Sequence, residues 1–295
     1  MGVVRSIERR GASISGCGKR WDTGKDGPVI KHVAMDMDGV LYRGDQPLPG
    51  AIETLNALRQ RGVKVAFITN NASRHREELA AKVSRMGFAC AMHEVWGSAY
   101  TTALYIARHT PEARVFAVGT AGLVREMQEA GVTVVPTHEG ATHVVAGLDM
   151  GVTYDKLKYA HYAICQGATF IATNLDATYP DTLTTTTPGG GAIVAVLRTS
   201  TGVEPLVIGK PQTTGLELVA DSWGVGPADI VGVGDRLDTD IASARAFGCL
   251  AVLVLTGIST RAEAEAATGL DRPDVILPDL TGLIPLLERG STGAS

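Results

Sequence analysis

Two aspartates separated by one residue, Asp36 and Asp38, end a short apolar run and precede Gly39. Side chains alternate between the faces of an extended chain, so both carboxylates can point to one place if the strand continues that far. Two carboxylates this close repel unless a cation neutralises one or a raised pKa keeps the other protonated. With Mg²⁺ bound, one could attack a phosphate while the other handles protons, although such a run is also typical of a turn.

Thr69 and Asn70 end a second apolar run, which begins at Val63, with a hydroxyl and an amide. Together with the backbone N–H groups of the small residues that follow, they could bind a phosphate. The alternative interpretation is an ordinary turn between a strand and a helix, in which Ser73 caps the helix.

Lys210 lies between a glycine and a proline, where a restrained backbone could direct its ammonium group to phosphate oxygens, although a loop lysine is commonly just solvated. Asp235, Asp238 and Asp240 follow a glycine-rich apolar run. Their oxygens suit Mg²⁺, or else they begin a helix whose dipole favours acids. Because all these clusters follow predicted strands in order, they indicate one shared site.

The composition is that of a globular protein, with 295 residues of which 45% are hydrophobic and 20% are charged. It excludes disorder throughout and allows one large or two modest domains. A net charge of -4 and a pI near 6.0 provide no basic surface for nucleic acid or for an anionic membrane. We therefore expect a small phosphorylated metabolite as the partner, bound at a local site.

The cysteines, Cys17, Cys90, Cys165 and Cys249, lie too far apart in the sequence for a zinc motif or a disulfide scaffold, which predicts reduced thiols. Residues 1–28 lack the apolar core of a signal peptide, and no later run approaches the roughly 18 apolar residues of a membrane span. We expect a soluble, cytoplasmic protein.

Strand-like and helix-like runs alternate along the chain, a pattern typical of a parallel sheet covered by helices on both faces. Ligands of such sheets bind beyond the carboxyl ends of the strands. The predicted division is an N-terminal extension at 1–28, a core at 29–99 and 206–288, an inserted α/β domain at 100–205, and a tail at 289–295, with the extension and the tail flexible.

Within the inserted domain, the apolar runs predict five strands, at Val115 to Val118, Val132 to Val135, His143 to Ala146, Thr169 to Ala172 and Ile193 to Leu197. Helices are predicted at Ala121 to Ala130 and Tyr154 to Gln166. The glycine run Pro188 to Ala192 lacks the Gly-Lys-Ser/Thr ending of a nucleotide-binding loop, and we interpret it as the start of a helix. A last strand at Leu277 and a helix over Leu280 to Leu287 would close the core.

These segments resemble the motifs of the haloacid dehalogenase-like (HAD) phosphatases. Asp36-x-Asp38-Gly39 is similar to their first motif, Thr69 to the second, Lys210 to the third, and Gly234-Asp235 with Asp240 to the fourth. The resemblance covers about residues 30 to 285 and implies a Rossmann-like parallel-sheet core with an inserted α/β cap.

Longer stretches resemble the NagD-type, 4-nitrophenylphosphatase-like branch of that family, which carries a large cap between its second and third motifs. The stretches are Asp36-Met37-Asp38-Gly39-Val40-Leu41-Tyr42, Thr69-Asn70-Asn71, Thr173-Asn174-Leu175-Asp176, Gly209-Lys210-Pro211 and Gly234-Asp235-Arg236-Leu237-Asp238-Thr239-Asp240. The resemblance implies an Mg²⁺-dependent enzyme. The first 28 residues lie outside it.

By position, the resemblance implies that Asp36 attacks phosphorus to form an aspartyl-phosphate. Asp38 would protonate the leaving group and then deprotonate the hydrolytic water. The resemblance also implies that Mg²⁺ is held by the Asp36 carboxylate, the Asp38 backbone carbonyl and Asp235, with Asp240 supporting these ligands from behind.

Thr69 and Lys210 would bind the oxygens of the transferring phosphoryl group, and Asn70 could contact the same group. The stretch that contains Asn174 and Asp176 resembles the loop that governs substrate choice in this branch. These two residues are therefore candidates for reaching over the site from the cap, and a polar turn is the alternative interpretation.

The leading prediction is an Mg²⁺-dependent phosphatase of small phosphate monoesters. Among the substrates that the resemblance implies, glycerol 3-phosphate or 2-phosphoglycolate is favoured because the cap loop has no aromatic residue to stack on a base or pyridine ring, and 4-nitrophenyl phosphate would serve as an artificial substrate. Pyridoxal phosphate and nucleoside monophosphates are alternatives, as are phosphotransfer to another acceptor and a mutase reaction. A non-catalytic phospho-accepting or binding protein is an alternative from another class, against which Asp38 argues. The resemblance also implies that caps can pair between subunits, so a homodimer is a further expectation.

Overall fold

The structure is a computed structural model that describes residues 31–180 and 185–289. The predicted N-terminal extension, Cys17 and residues 290–295 of the predicted tail lie outside the described residues. Within them, Cys90, Cys165 and Cys249 are free thiols. No helix of the described ranges is both long enough and apolar enough to cross a membrane.

The described residues form strands and helices in alternation, as the sequence predicts. The strands are β1 (His32–Met35), β2 (Tyr42–Arg43), β3 (Gln46–Pro47), β4 (Lys64–Thr69), β5 (Val95–Gly97), β6 (Arg114–Val118), β7 (Thr133–Val134), β8 (His143–Ala146), β9 (Thr169–Ala172), β10 (Thr178–Pro180), β11 (Thr186–Pro188), β12 (Leu206–Val207), β13 (Ile230–Gly234), β14 (Leu250–Val254) and β15 (Val275–Leu277). The helices are α1 (Ala51–Gln60), α2 (Arg76–Arg85), α3 (Ser98–His109), α4 (Ala121–Glu129), α5 (Tyr154–Cys165), α6 (Gly190–Thr201), α7 (Thr214–Trp223), α8 (Ala242–Phe247), α9 (Arg261–Ala266) and α10 (Leu283–Arg289).

The larger sheet has six strands in the order β15-β14-β13-β1-β4-β5, and all neighbouring strands are parallel. Strand β1 lies in the middle, with Met35 opposite Val233 on one side and Phe67 on the other. Because the strands are parallel, Asp36 after β1, Thr69 at the end of β4 and the residues after β13 meet at one edge.

Helices cover both faces of this sheet. On one face α1, α2 and α10 pack through residues such as Leu55, Leu58 and Leu283, none of which is exposed. Helices α7 and α8 cover the other face. Burying a leucine fully contributes about 1.5–3 kcal/mol, so these apolar helix faces fix the strand ends that carry the polar residues.

The second sheet has five parallel strands in the order β12-β9-β8-β6-β7. Residues of α5 and α6 pack in one apolar cluster with it, and residues of α3 and α4 pack in another. Two antiparallel pairs, β2-β3 and β10-β11, complete the strands of the described ranges. The parallel-sheet α/β class predicted from the sequence is confirmed.

One predicted strand is wrong. Ile193 to Leu197 lies inside α6, where Ile193, Val194 and Leu197 are buried and Val196 is 48% exposed. Buried residues at this spacing form one face of a helix, whereas a strand would alternate. A short apolar run rich in β-branched residues does not by itself distinguish a strand from a buried helix. The interpretation of the preceding glycine run as a helix start agrees with α6.

The chain passes between the two sheets near both predicted domain limits. Helix α3, which the sequence interpretation did not anticipate, spans the limit at 99/100 and packs against α4 on one side and α7 on the other. Strand β12 follows the limit at 205/206 and pairs with β9, so the second sheet extends to Val207. We propose that residues between these crossings act as the cap.

Candidate active site

Asp36 directly follows β1, and its backbone still belongs to the sheet because its N–H donates to the carbonyl of Val233. Its carboxylate accepts a hydrogen bond from the ammonium group of Lys210, with Oδ1 and Nζ 2.5 Å apart. The same Nζ lies 2.6 Å from Asp240 Oδ1 and 2.9 Å from the carbonyl oxygen of Ile68. The three N–H bonds of the lysine are thus directed at three buried acceptors.

Asp240 reaches this lysine because a π-helical turn, Leu237–Ile241, follows β13 and brings the side chain back toward the strand end. Its second oxygen, Oδ2, accepts hydrogen bonds from the backbone N–H groups of Asp235 and Arg236, both at 3.1 Å. Both oxygens of Asp240 are therefore engaged by protein groups. This arrangement holds the backbone that carries Asp235.

Asp36, Asp235 and Asp240 each offer a carboxylate oxygen, and these three oxygens lie within 4.8 Å of one another. Burial raises the pKa of Asp36 to about 7 and, with Asp240 and Asp36 nearby, raises the pKa of Asp235 to about 8. Burial also disfavours the charge of Lys210, but Asp240 and Asp36 outweigh it and raise the pKa of that ammonium. Crowded carboxylates with one ammonium among them fit a hard divalent cation.

Asp38 is exposed, two residues beyond Asp36, and its charge contributes to the raised pKa of Asp36. Its pKa is raised because the surrounding protein limits its hydration, an effect that Lys82 and Arg43 oppose. A carboxyl with a raised pKa holds a proton more readily, which suits a group that donates one.

Gly39, which follows Asp38, allows the chain to turn against Asp235. Its φ is +79°, in the left-handed region, and a Cβ there would lie 2.4 Å from Asp235 Oδ2. Only glycine meets both conditions without strain. The Asp-x-Asp-Gly run is therefore a turn as well as part of the carboxylate cluster, so the two sequence interpretations are compatible.

The other predicted residues lie beside this cluster. Thr69, Asn70 and Lys210 line one small cavity, and Lys210 also lines a second cavity with Asp36 and Asp240. Asp238, by contrast, is paired with Arg236, with Arg236 Nη2 and Asp238 Oδ2 2.8 Å apart, and its side chain is 66% exposed. The structure brings the predicted core residues together and leaves Asp238 outside.

The two predicted cap residues occupy different environments. Asn174 is 4% exposed, and its amide donates to the backbone carbonyl of Asn70 at 2.8 Å while its Oδ1 accepts from the N–H of Asp176. Asp176 reaches Asn70 Nδ2 at 3.2 Å, and burial raises its pKa. Both residues therefore contact Asn70, Asp176 at its side chain and Asn174 at its backbone carbonyl.

Ser98 is a contributor that sequence reasoning missed. It is the first residue of α3 and donates its hydroxyl proton to the carbonyl oxygen of Asn70 at 2.7 Å. Its position directly after β5, at the same edge of the sheet as Thr69, was the available signal. Because the sequence interpretation did not predict α3, it did not place Ser98 at this edge of the sheet.

A second group of possible ligands, His75, Glu126 and Glu129, lies between α2 and α4. His75 Nδ1 accepts a hydrogen bond from the backbone N–H of Glu77, so the ring proton is assigned to Nε2, which lies 3.1 Å from Glu129 Oε2. A protonated Nε2 is a donor and not a metal ligand. This group is a hydrogen-bonded contact between the start of α2 and α4.

Family models match both segments that carry the site. Residues 33–133 match the haloacid dehalogenase-like hydrolases, and residues 207–283 match a HAD-hydrolase-like model. An acid sugar phosphatase from Staphylococcus saprophyticus is 35% identical over 259 residues, which cover 88% of this chain and 98% of the relative. The chain belongs to the haloacid dehalogenase-like hydrolase family.

Solved structures of similar proteins agree. A p-nitrophenyl phosphatase from Archaeoglobus fulgidus has a TM-score of 0.81 and 32% identity, covering 88% of this chain and 99% of that one. A glycerol phosphate phosphatase from Mycobacterium tuberculosis, in complex with magnesium, has a TM-score of 0.81 and 37% identity, covering 86% and 76%. NagD from E. coli has a TM-score of 0.79 and 29% identity, covering 86% and 98%.

The predicted resemblance to the NagD and 4-nitrophenylphosphatase branch is confirmed by these matches. The chain is accordingly an enzyme, a phosphoric monoester hydrolase of the HAD type. A non-catalytic phospho-accepting protein, the alternative from another class, is not supported.

Proposed function

We propose that the protein is an Mg²⁺-dependent phosphatase of small phosphate monoesters that works through an aspartyl-phosphate on Asp36. The observation that carries this proposal is the position of the Asp36 carboxylate, which follows β1, contacts Lys210 and lies beside Asp235 and Asp240. A carboxylate held in this way is a fixed nucleophile next to a fixed positive charge.

The residues that would hold Mg²⁺ are the Asp36 carboxylate, the Asp38 backbone carbonyl and Asp235. Asp240 has both oxygens engaged by protein donors, which supports a role in holding Asp235 in place. When bound, the cation supplies charge stabilisation for phosphoryl oxygens and lowers the repulsion among the carboxylates. The raised pKa values of Asp36 and Asp235 support the need for such a charge.

Asp36 attacks phosphorus, a P–O bond forms to its carboxylate, and the bond from phosphorus to the substrate oxygen breaks. Asp38, whose side chain is exposed, donates its proton to that leaving oxygen and later takes a proton from the water that attacks the aspartyl-phosphate. The Lys210 ammonium and the Thr69 hydroxyl stabilise the oxygens of the transferring group.

Glycerol 3-phosphate is the substrate we favour within this class, ahead of 2-phosphoglycolate. Asp176 brings a carboxylate to the site from the cap loop, where it would accept hydrogen bonds from hydroxyl groups and repel a second carboxylate. Similar proteins include an acid sugar phosphatase and a glycerol phosphate phosphatase, whose names indicate phosphate esters that carry hydroxyl groups. No nucleic-acid partner is proposed.

The test is a phosphate-release assay over a panel of phosphorylated metabolites, with and without Mg²⁺, using Asp36→Asn as the control variant. We expect release that needs Mg²⁺, is absent in the variant, and is fastest with polyol or sugar phosphates. Faster release from nucleoside monophosphates or pyridoxal phosphate would overturn the substrate proposal. Release only when a phosphoryl acceptor is added would instead indicate a transferase or mutase.

A further inference from the structure

The side chain of Asn70 pairs with the backbone of Lys210 through both of its polar atoms. Asn70 Oδ1 accepts a hydrogen bond from the Lys210 N–H at 2.8 Å, and Asn70 Nδ2 donates one to the Lys210 carbonyl at 3.1 Å. This is the pairing that a neighbouring peptide group would make in a sheet. Two such bonds fix both the position and the orientation of the lysine backbone.

The position of the lysine backbone matters because it determines where the side-chain ammonium group lies. Its Nζ lies among Asp36 Oδ1, Asp240 Oδ1 and the Ile68 carbonyl, and only 10% of the side chain is exposed. A displacement of the Lys210 Cα would therefore pull the ammonium away from Asp36. In enzymes a misplacement of about 1 Å can reduce the rate by about 100-fold.

Asn70 approaches this backbone closely because Gly209 precedes the lysine. A Cβ on Gly209 would lie 2.7 Å from Asn70 Oδ1 and 2.4 Å from the carbonyl oxygen of Thr173, to which the Gly209 N–H also donates. Three chain segments thus meet at one point: the end of β4, the segment after β12 and the cap loop after β9. Any larger residue at 209 would separate them.

The same amide also reaches the cap loop. Asn70 Nδ2 lies 3.2 Å from Asp176 Oδ1, and the Asn70 carbonyl accepts hydrogen bonds from Asn174 and Ser98. An amide nitrogen carries two N–H bonds, and here one is directed at Lys210 and the other at Asp176. Unlike the Lys210 ammonium, which contacts the attacking carboxylate of Asp36, the Asn70 amide directs both of its N–H bonds to groups that do not react.

We propose that Asn70 is a positioning residue that fixes Lys210 and connects it to Asp176 of the cap loop, and that its side chain does not bind the phosphoryl group. This departs from the role that the family resemblance implied for Asn70, and it rests on the proposed function. A substrate that contacts Asp176 thereby affects the same amide that holds the catalytic lysine, which links substrate choice to the chemical step.

A double-mutant cycle tests the proposal. In the full chain, Asn70→Ala is expected to lower kcat for 4-nitrophenyl phosphate by about 10-fold to 100-fold. In a Lys210→Ala background the same substitution is expected to lower kcat by less than about twofold, because the residue it positions is already missing. An equal loss in both backgrounds would overturn the proposal, since it would indicate direct contact with the phosphoryl group.

Binding of inorganic phosphate, measured by calorimetry with Mg²⁺ present, gives a second readout that does not need turnover. If Asn70 acts through Lys210, phosphate binds the Lys210→Ala variant and the double variant equally. Weaker binding to the double variant would overturn the proposal. The thermal unfolding transition of each variant is measured first, and activity is then assayed well below that temperature. A lower rate then reflects an effect on catalysis and not a loss of folded protein.

The link to Asp176 is tested with the same variants and glycerol 3-phosphate. If the link exists, Asn70→Ala should lower activity by different factors with glycerol 3-phosphate and with 4-nitrophenyl phosphate when Asp176 is present. In an Asp176→Ala background the two factors should become equal. Unequal factors in that background would count against the link. Full activity of Asp36→Asn would refute the proposed function. If Asp36→Asn is inactive but Asn70→Ala causes an equal loss with and without Lys210, only the inference about Asn70 is refuted.

Discussion

Lys210 Nζ lies 2.5 Å from Asp36 Oδ1, so the lysine ammonium is in direct contact with the carboxylate that directly follows β1 in the larger sheet. The two residues are 174 positions apart in the sequence. Their contact depends on β1, β4 and β13 lying side by side, since those strands place all the site segments at one edge.

Replacing Lys210 with methionine should remove the charge and keep much of the side-chain volume. We expect kcat to fall by about 100-fold to 1000-fold, as when a preorganised charge-stabilising group is lost. The measurement is steady-state hydrolysis of 4-nitrophenyl phosphate at saturating Mg²⁺. A loss of less than threefold would contradict the role given to this ammonium.

Asp38→Asn should lower the rate most for substrates whose leaving groups require protonation. An alkoxide leaves poorly without protonation, whereas 4-nitrophenolate leaves readily, so the variant should lose more activity on glycerol 3-phosphate than on 4-nitrophenyl phosphate in the step that forms the phosphoenzyme. Single-turnover kinetics measures that step. Equal losses on the two substrates would exclude Asp38 as the acid.

Mg²⁺ should raise the thermal unfolding temperature of the parent protein, because the cation relieves repulsion among buried carboxylates and binds only the folded chain. Chelation should abolish activity, and added Mg²⁺ should restore it. Asp235→Asn should lose the Mg²⁺-dependent stabilisation. Asp238→Asn is the matched control, since Asp238 is exposed and paired with Arg236. This control should keep both the stabilisation and the activation by Mg²⁺. Identical behaviour of the two variants would be inconsistent with the proposed ligands.

Gly39→Ala should lower both stability and activity. The substitution forces a left-handed backbone on alanine, which costs about 1–3 kcal/mol, and places its Cβ against Asp235. Gly62→Ala is the control, because Gly62 also has a positive φ of 71° but no atom within 4 Å of the added Cβ. Chemical denaturation and Mg²⁺ titration of activity should show similar strain in both variants and weaker Mg²⁺ activation only in Gly39→Ala.

Asp176→Ala should change substrate preference more than overall rate. Removing the carboxylate eliminates an acceptor for substrate hydroxyls and a repulsive charge for substrate carboxylates, so kcat/KM should fall for glycerol 3-phosphate and rise for 2-phosphoglycolate. The ratio of the two kcat/KM values is the quantity to compare with the parent. An unchanged ratio would remove Asp176 from substrate recognition.

Much of the core site could be predicted from the sequence because parallel strands bring their carboxyl ends to one edge. Asp36, Thr69 and Asp235 follow strands that are recognisable as apolar runs, so their proximity follows from the sheet alone. Lys210 follows β12 of the second sheet, so the prediction that it follows a strand as the other clusters do is wrong for the larger sheet, although its ammonium does lie among the acids.

Other features could not be predicted because they depend on side-chain geometry across distant segments. The pairing of Asn70 with Lys210 joins residues 140 positions apart through atoms whose direction no spacing rule specifies. The strand predicted over Ile193 to Leu197 failed for a different reason: its apolar residues suit either a strand or the buried face of a helix.

The most direct test of the account is to locate the phosphoryl group on the enzyme itself. Asp38→Asn protein is mixed with substrate and Mg²⁺, quenched in acid, digested, and its peptides are analysed by mass spectrometry. We predict that the phosphoryl group is attached to Asp36. Attachment to any other residue, or turnover at the parent rate in Asp36→Asn, would contradict the central claim.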